Sequence, residues 1–295
     1  MKVSTKVITL LLVILTSFGL SGSENHSLAQ SNKSDKELPK TVTLDCGNGV
    51  EMVLTLIPAG TFLMGSPAGG REEVFVDFMK GEFKRRNMGE YDETQHRVTL
   101  TKPFHMGIHQ VTQAQYEAVM GTNPSSFKST SNLPVECVSW DDAVEFCKRL
   151  SAKTGRNVRL PTEAEWEYAC RAGTMSPFHF GETISTDQAN YNGNDIYGNG
   201  VKGEFRKKTT PVGSFPANAW GLFDMHGNVS EWCADWLGPY DTTQATDPQG
   251  ATNGTNRVLR GGSWVSIPNL CRSAFRFFCP PDSIMFFCGF RVVTE

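Results

Sequence analysis

From residue 174 to the C-terminus this chain never sustains a helical period, and that property limits its fold more than any other. Glycine, asparagine and aromatic residues dominate the stretch, and short strands are expected only at Arg257–Arg260 and 290–293. The whole chain holds 28 glycines and 15 prolines in 295 residues, which points to a loop-rich fold. No internal repeat and no linker divides it after residue 40, and its length suits one large domain.

Helix signals cluster earlier. Thr112-Gln113-Ala114-Gln115 fits a capping box and Gly121 closes that segment. Ser139 opens a second helix, with Ala143, Phe146, Cys147 and Leu150 on one apolar face, and Gly155 ends it. Pro161-Thr162-Glu163-Ala164-Glu165 opens a third, with Gly173 as its stop. Glu163, Glu165 and Glu167 read as acids placed at a helix start, where the dipole favours them. Strands are expected at 41–45, Val50–Ile57, 61–64, 96–101 and 104–109, and an amphipathic piece at 74–83.

Lys2 and Lys6 precede an apolar run at 7–20, and Ser27-Leu28-Ala29 offers small residues for cleavage. Residues 1–29 therefore read as a signal peptide and 30–40 as a disordered leader, with the folded domain at 41–295. The expectation is an exported protein, periplasmic or extracellular, with no membrane span after cleavage. Eight cysteines in an exported chain suggest disulfides, although 105 pairings are open. A formal net charge of -3 gives no reason to expect nucleic acid.

Seven motifs then occur in order. They include Ile57-Pro58-Ala59-Gly60-Thr61-Phe62, Val111-Thr112-Gln113, Val138-Ser139-Trp140-Asp141-Asp142 and Arg159-Leu160-Pro161-Thr162-Glu163. Trp220-Gly221-Leu222-Phe223-Asp224-Met225-His226-Gly227-Asn228, Gly261-Gly262-Ser263-Trp264 and Gly289-Phe290-Arg291 complete the series. Together they resemble the formylglycine-generating enzymes, or sulfatase-modifying factors, from about Leu56 to Val293. The resemblance implies an α+β fold related to C-type lectins, loop-rich, with short strands and about three helices. It also implies an oxidase that holds Cu(I) on two cysteines and converts a sulfatase cysteine to formylglycine.

Counted forward from Gly261, the first copper position is Ser266 and the second is Cys271. Counted back from Pro281-Asp282, the alignment shifts by three residues and Cys271 no longer matches. Cu(I) prefers soft thiolates, so at most one ligand of the pair remains. Ser263, Ser266 and Cys271 are the candidate site residues, with Cys271 the copper ligand if copper binds at all. Two oxygen clusters are candidates for structural Ca²⁺. Asp224, Gly227, Val229 and Glu231 combine carboxylates with loop carbonyls, and the resemblance implies a second set at Asn190, Tyr191, Glu204 and Arg206.

Three functions follow. The first is a non-oxidase binding member, taking a peptide or small ligand in a lectin-like cleft near Ser263 and Ser266. The second is an oxidase acting on a client protein such as a sulfatase. The third is a structural interaction protein that docks a partner through the phenylalanines at 277–278 and 286–287. The protein is taken as a monomer.

Overall fold

The computed structural model describes residues 38–67, 75–77, 82–84, 93–243 and 245–295. The expected signal peptide and all but the end of the expected leader lie outside the described residues. The expected amphipathic piece contributes a two-stranded hairpin, β4 (Phe75–Asp77) with β5 (Glu82–Lys84), and its other residues lie outside the description.

All three helices form where their caps place them. They are α1 (Gln113–Met120), α2 (Trp140–Thr154) and α3 (Glu163–Arg171). At each start the cap hydroxyl of Thr112, Ser139 or Thr162 accepts from the N3 amide, and the N3 side chain bonds back. This reciprocal pair satisfies two amides that would otherwise lack partners. Gly121 and Gly155 close the first two helices in left-handed conformations, whereas Ala172, one residue before the expected glycine, closes α3 with φ 45°.

Strands β1 (Thr41–Gly47), β2 (Val50–Ile57), β7 (Phe104–Gly107), β8 (Val158–Arg159) and β13 (Val293–Thr294) make one sheet in the order β1-β2-β7-β13-β8. The C-terminal β13 thus sits between β7 and β8 and joins them in one sheet. The expected strand at 290–293 survives only in this short form. A second sheet has the order β11-β10-β9-β12, from β9 (Ser230–Trp236), β10 (Arg257–Arg260), β11 (Phe277–Cys279) and β12 (Cys288–Gly289). Strand β3 (Gly60–Met64) pairs with β6 (His96–Leu100).

Short ladders leave many loop carbonyls to be satisfied otherwise, and buried arginines do this. Arg260 donates to the carbonyls of Ser273, Ala274 and Phe275 and to Glu167. Arg291 donates to the carbonyls of Gly107 and Phe223 and to Glu231. Every residue of α3 is buried. The dipole reading of its acids is therefore incomplete. Glu163 is clamped by Arg276, Glu165 by Arg159, and Glu167 by Arg171 and Arg260. Buried charge needs such partners because desolvation is costly.

The cysteines correct the disulfide expectation, since all eight are free thiols. None is bonded to another, although Cys137 and Cys279 lie near enough to Cys288 to act on its thiol. Cys46, Cys147 and Cys288 belong to one apolar cluster, Cys170 and Cys233 to a second, and Cys271 to a third. Cys137 Sγ lies 3.3 Å from Ser126 Oγ, and Cys279 Sγ lies 3.8 Å from Met285 Sδ. No helix among the described residues is long and apolar enough to cross a membrane.

Candidate functional site

The motif turn follows β10 directly. Gly261 (φ 88°) and Gly262 (φ 67°) reverse the chain, and a side chain on Gly262 would meet Cys271 Sγ at 2.7 Å. Glycine is required there both for its dihedral and for the close approach. Ser266 Oγ accepts from the Ser263 amide at 3.0 Å and lies 3.2 Å from Ser263 Oγ. The turn is closed by Ser266 N–H donating to Ser263 O at 3.0 Å, and Asn192 N–H donates to Ser266 O at 2.9 Å. Ser266 is thus a structural hydroxyl that fastens the turn.

Cys271 ends a 3-10 turn at Pro268–Cys271 and is wholly buried. Burial pushes its thiol up, against a smaller opposing effect of the Ser263 amide. A thiolate is the form that binds soft metal. A committed hydroxyl and a buried protonated thiol do not fit Cu(I). Ser263 and Ser266 are also buried, so the turn offers no open cleft of its own.

Sequence reasoning missed the histidine beneath this turn. His226 Nδ1 donates to Cys271 O at 2.7 Å, and its Nε2 accepts from the His179 amide at 3.1 Å. This pairing assigns the neutral Nδ1–H tautomer. Burial, then the neighbouring His179, holds the imidazole well below the usual histidine range. The ring stacks on His179 at 4.8 Å. His226 lies inside a quoted motif, but only the fold brings Cys271 and His179 to it.

The residues of the first oxygen cluster lie together, with one of the two expected carboxylates facing inward. Asp224, Gly227 and Asn228 all take positive φ, and such turns aim successive carbonyls at one point. The carbonyls of Asp224, Gly227 and Val229 and Oε1 of Glu231 converge on Gln110 Nε2, at 3.3, 3.3, 2.9 and 3.0 Å. The Asp224 carboxylate turns away, and its Oδ2 accepts from Gly213 N–H at 2.8 Å. Burial raises that carboxyl to about 6. Glu231 is clamped by Arg291 and also accepts from Trp166 Nε1 at 2.7 Å.

The second cluster is gathered by a close approach of residues 190–193 to 203–208, with Gly203 N–H donating to Gly193 O at 2.8 Å. Asn190 Nδ2 donates to Lys208 O and Asn228 Oδ1, while Asn190 Oδ1 is buried without a hydrogen-bond partner. Tyr191 is buried, Glu204 is exposed, and Glu204 Oε2 lies 3.4 Å from Arg206 Nε. An orphaned buried acceptor is the kind of oxygen a hard cation takes, whereas the Glu204 carboxylate is largely exposed and lies against Arg206.

Outside the turn the C-terminal segment packs into an aromatic cluster centred on the buried Trp264. Trp264 contacts Phe127 at 5.5 Å, Phe205 at 6.2 Å and Phe286 at 5.7 Å. Phe287 is core, whereas Phe286 is 46% and Ile284 65% exposed. The phenylalanine segment thus divides between core and surface. Elsewhere, a cavity of about 310 Å³ is lined by Glu163, Asp235, Tyr240, Arg276 and His96. Burial, then the charge of Glu163, pushes Asp235 up to about 7.

Comparison with known proteins agrees with the motifs. The sulfatase-modifying factor enzyme 1-like domain matches residues 43–295. The formylglycine-generating enzyme of Mus musculus is 38% identical over 180 residues, covering 58% of this chain and 46% of that protein. This chain therefore spans under half the length of that relative. The chaperone protein LppX of Paenibacillus barcinonensis is 30% identical over 269 residues, covering 76% of this chain and 91% of that protein. Among solved structures, Treponema denticola variable protein 1 superposes with a TM-score of 0.70 at 26% identity, covering 87% of this chain and 99% of that one. The motif order, the loop-rich α+β architecture and these matches place the chain in the sulfatase-modifying-factor family.

Proposed function

We propose that this chain is an exported, non-oxidase binding member of the family. The observation that carries the reading is Ser266: a hydroxyl stands where the first thiol is expected, and it is committed to Ser263. Burial of Cys271 adds to it. The binding face is the exposed surface at Ile284 and Phe286, with Trp264 buried beneath it, not a cleft at Ser263 and Ser266. Aromatic residues grouped on a surface are the usual anchors of recognition. Lys128 and Lys207 are exposed beside Phe127 and Phe205, so the face suits an apolar peptide segment flanked by acidic residues. The name of the relative LppX, a chaperone protein, is in keeping with a binding role.

A structural Ca²⁺ is part of this reading. Asn190 Oδ1, Glu204 and the carbonyls of Tyr191 and Arg206 would hold it, and it would pin a segment poor in backbone ladders.

Two measurements test the function. Cu(I) titration of the reduced protein against a competing chelator is expected to show no binding above competition. Tight one-to-one binding, lost in Cys271→Ala, would restore the oxidase reading. Selection of displayed peptides on the immobilised protein is expected to enrich apolar sequences with acidic flanks. Those peptides should fail to bind Ile284→Ser/Phe286→Ser, and unchanged binding to that variant would remove the proposed face.

A further inference from the structure

We infer that Gln110 replaces a cation at the first oxygen cluster, which is therefore closed by an amide and takes no calcium. The argument starts from the backbone. Positive φ at Asp224 (55°), Gly227 (86°) and Asn228 (64°) is costly for the two non-glycine residues, and something must hold the loop in this shape. Three carbonyls and one carboxylate oxygen aimed at a single point repel one another unless positive charge lies between them.

Gln110 supplies it. Its side chain is wholly buried, and Nε2 stands within 2.9–3.3 Å of all four oxygens. The amide cannot be turned round. Its Oε1 accepts from Asn228 Nδ2 at 3.2 Å, and a flip would set one more oxygen against the four while leaving two amino groups facing each other. Calcium holds its oxygens at about 2.3–2.6 Å, closer than this cluster stands around nitrogen. The charge account agrees. Arg291 meets both oxygens of Glu231, so the cluster's inward-facing carboxylate is already neutralised before any ion arrives. The other carboxylate, Asp224, faces Gly213 instead.

Gln110→Glu is the informative change, because it keeps the shape and exchanges the amino group for a negative oxygen. A fifth oxygen at the centre makes a cation necessary. Calcium bound per chain is counted by equilibrium dialysis against radioactive Ca²⁺, in a Glu204→Gln background that silences the second cluster. Glu204→Gln alone is expected to bind none, and Gln110→Glu/Glu204→Gln to bind one. Folding of the double variant only in the presence of Ca²⁺ would equally support the inference. One ion bound by Glu204→Gln alone overturns it, as does a folded double variant that binds none. If the double variant fails to fold with and without Ca²⁺, the count for Glu204→Gln alone decides.

Discussion

Arg260 Nη2 donates to Glu167 Oε2 at 2.5 Å, and neither side chain has any exposure. The pair joins α3 to β10 one residue before the Gly261-Gly262 turn. The same guanidinium fixes three carbonyls of the segment after Cys271. The turn and the chain that follows it are thus hung on one buried charge pair.

Removing one partner leaves the others buried and uncompensated. Glu167→Gln is expected to lower the unfolding free energy by about 3–5 kcal/mol, measured as a fall in urea midpoint at unchanged slope. A loss under about 1 kcal/mol would mean that the pair does not organise this region.

Ser266→Ala deletes the acceptor for a buried amide. The expected cost is about 1–3 kcal/mol, the penalty of leaving Ser263 N–H unsatisfied. Equal stability of variant and wild type in chemical unfolding would contradict the fastening role given to Ser266.

The phenylalanine segment should show two kinds of response. Phe287→Ala empties core volume and is expected to cost about 3–5 kcal/mol. Phe286→Ala alters a half-exposed ring and should cost under about 1 kcal/mol. Similar losses at both positions would place Phe286 in the core.

Thiol chemistry tests the cysteine arrangement. Unfolded, unreduced protein should titrate with a thiol reagent as eight free cysteines. In the native state Cys137 and Cys279, the two that are not fully buried, should react first. Fewer than eight thiols after unfolding would show a disulfide.

Asp235 predicts a pH dependence. Its folded-state value of about 7 lies above the ordinary carboxylate value of about 3.9. The folded protein therefore holds this proton more tightly than the unfolded chain. The stabilisation is complete below about pH 4 and is lost as pH rises to about 7. His179, lowered by burial to about 4, contributes the opposite slope between about pH 4 and 6.5. The readout is accordingly the difference between wild type and Asp235→Asn. Asn keeps an acceptor for the Glu163 amide, and the variant should lose less stability than wild type between about pH 4 and 7, Asp224 supplying the fall that remains; parallel profiles would refute the assignment.

Local features were legible in the sequence. Thr112, Ser139 and Thr162 announced their helices because a cap needs only a hydroxyl and an acceptor three residues on. Strand β9 was not legible. It is buried on both faces and carries Ser230, Glu231 and Asp235, so it shows neither alternation nor a continuous apolar run. The two oxygen clusters were readable as lists of residues, but what stands at the centre of the first was not.

The sequence by itself determined the family, the capped helices, the glycine turn at 261–262 and the substitution at Ser266. Each is written within a few residues, where backbone sterics and short hydrogen bonds act. The tertiary structure alone decided that eight thiols stay unpaired, that Phe286 and Phe287 part company, and that Gln110 reaches Glu231 across 121 positions. Those outcomes depend on which buried groups meet, and burial makes each meeting obligatory: a desolvated charge or amide takes a partner wherever packing brings one.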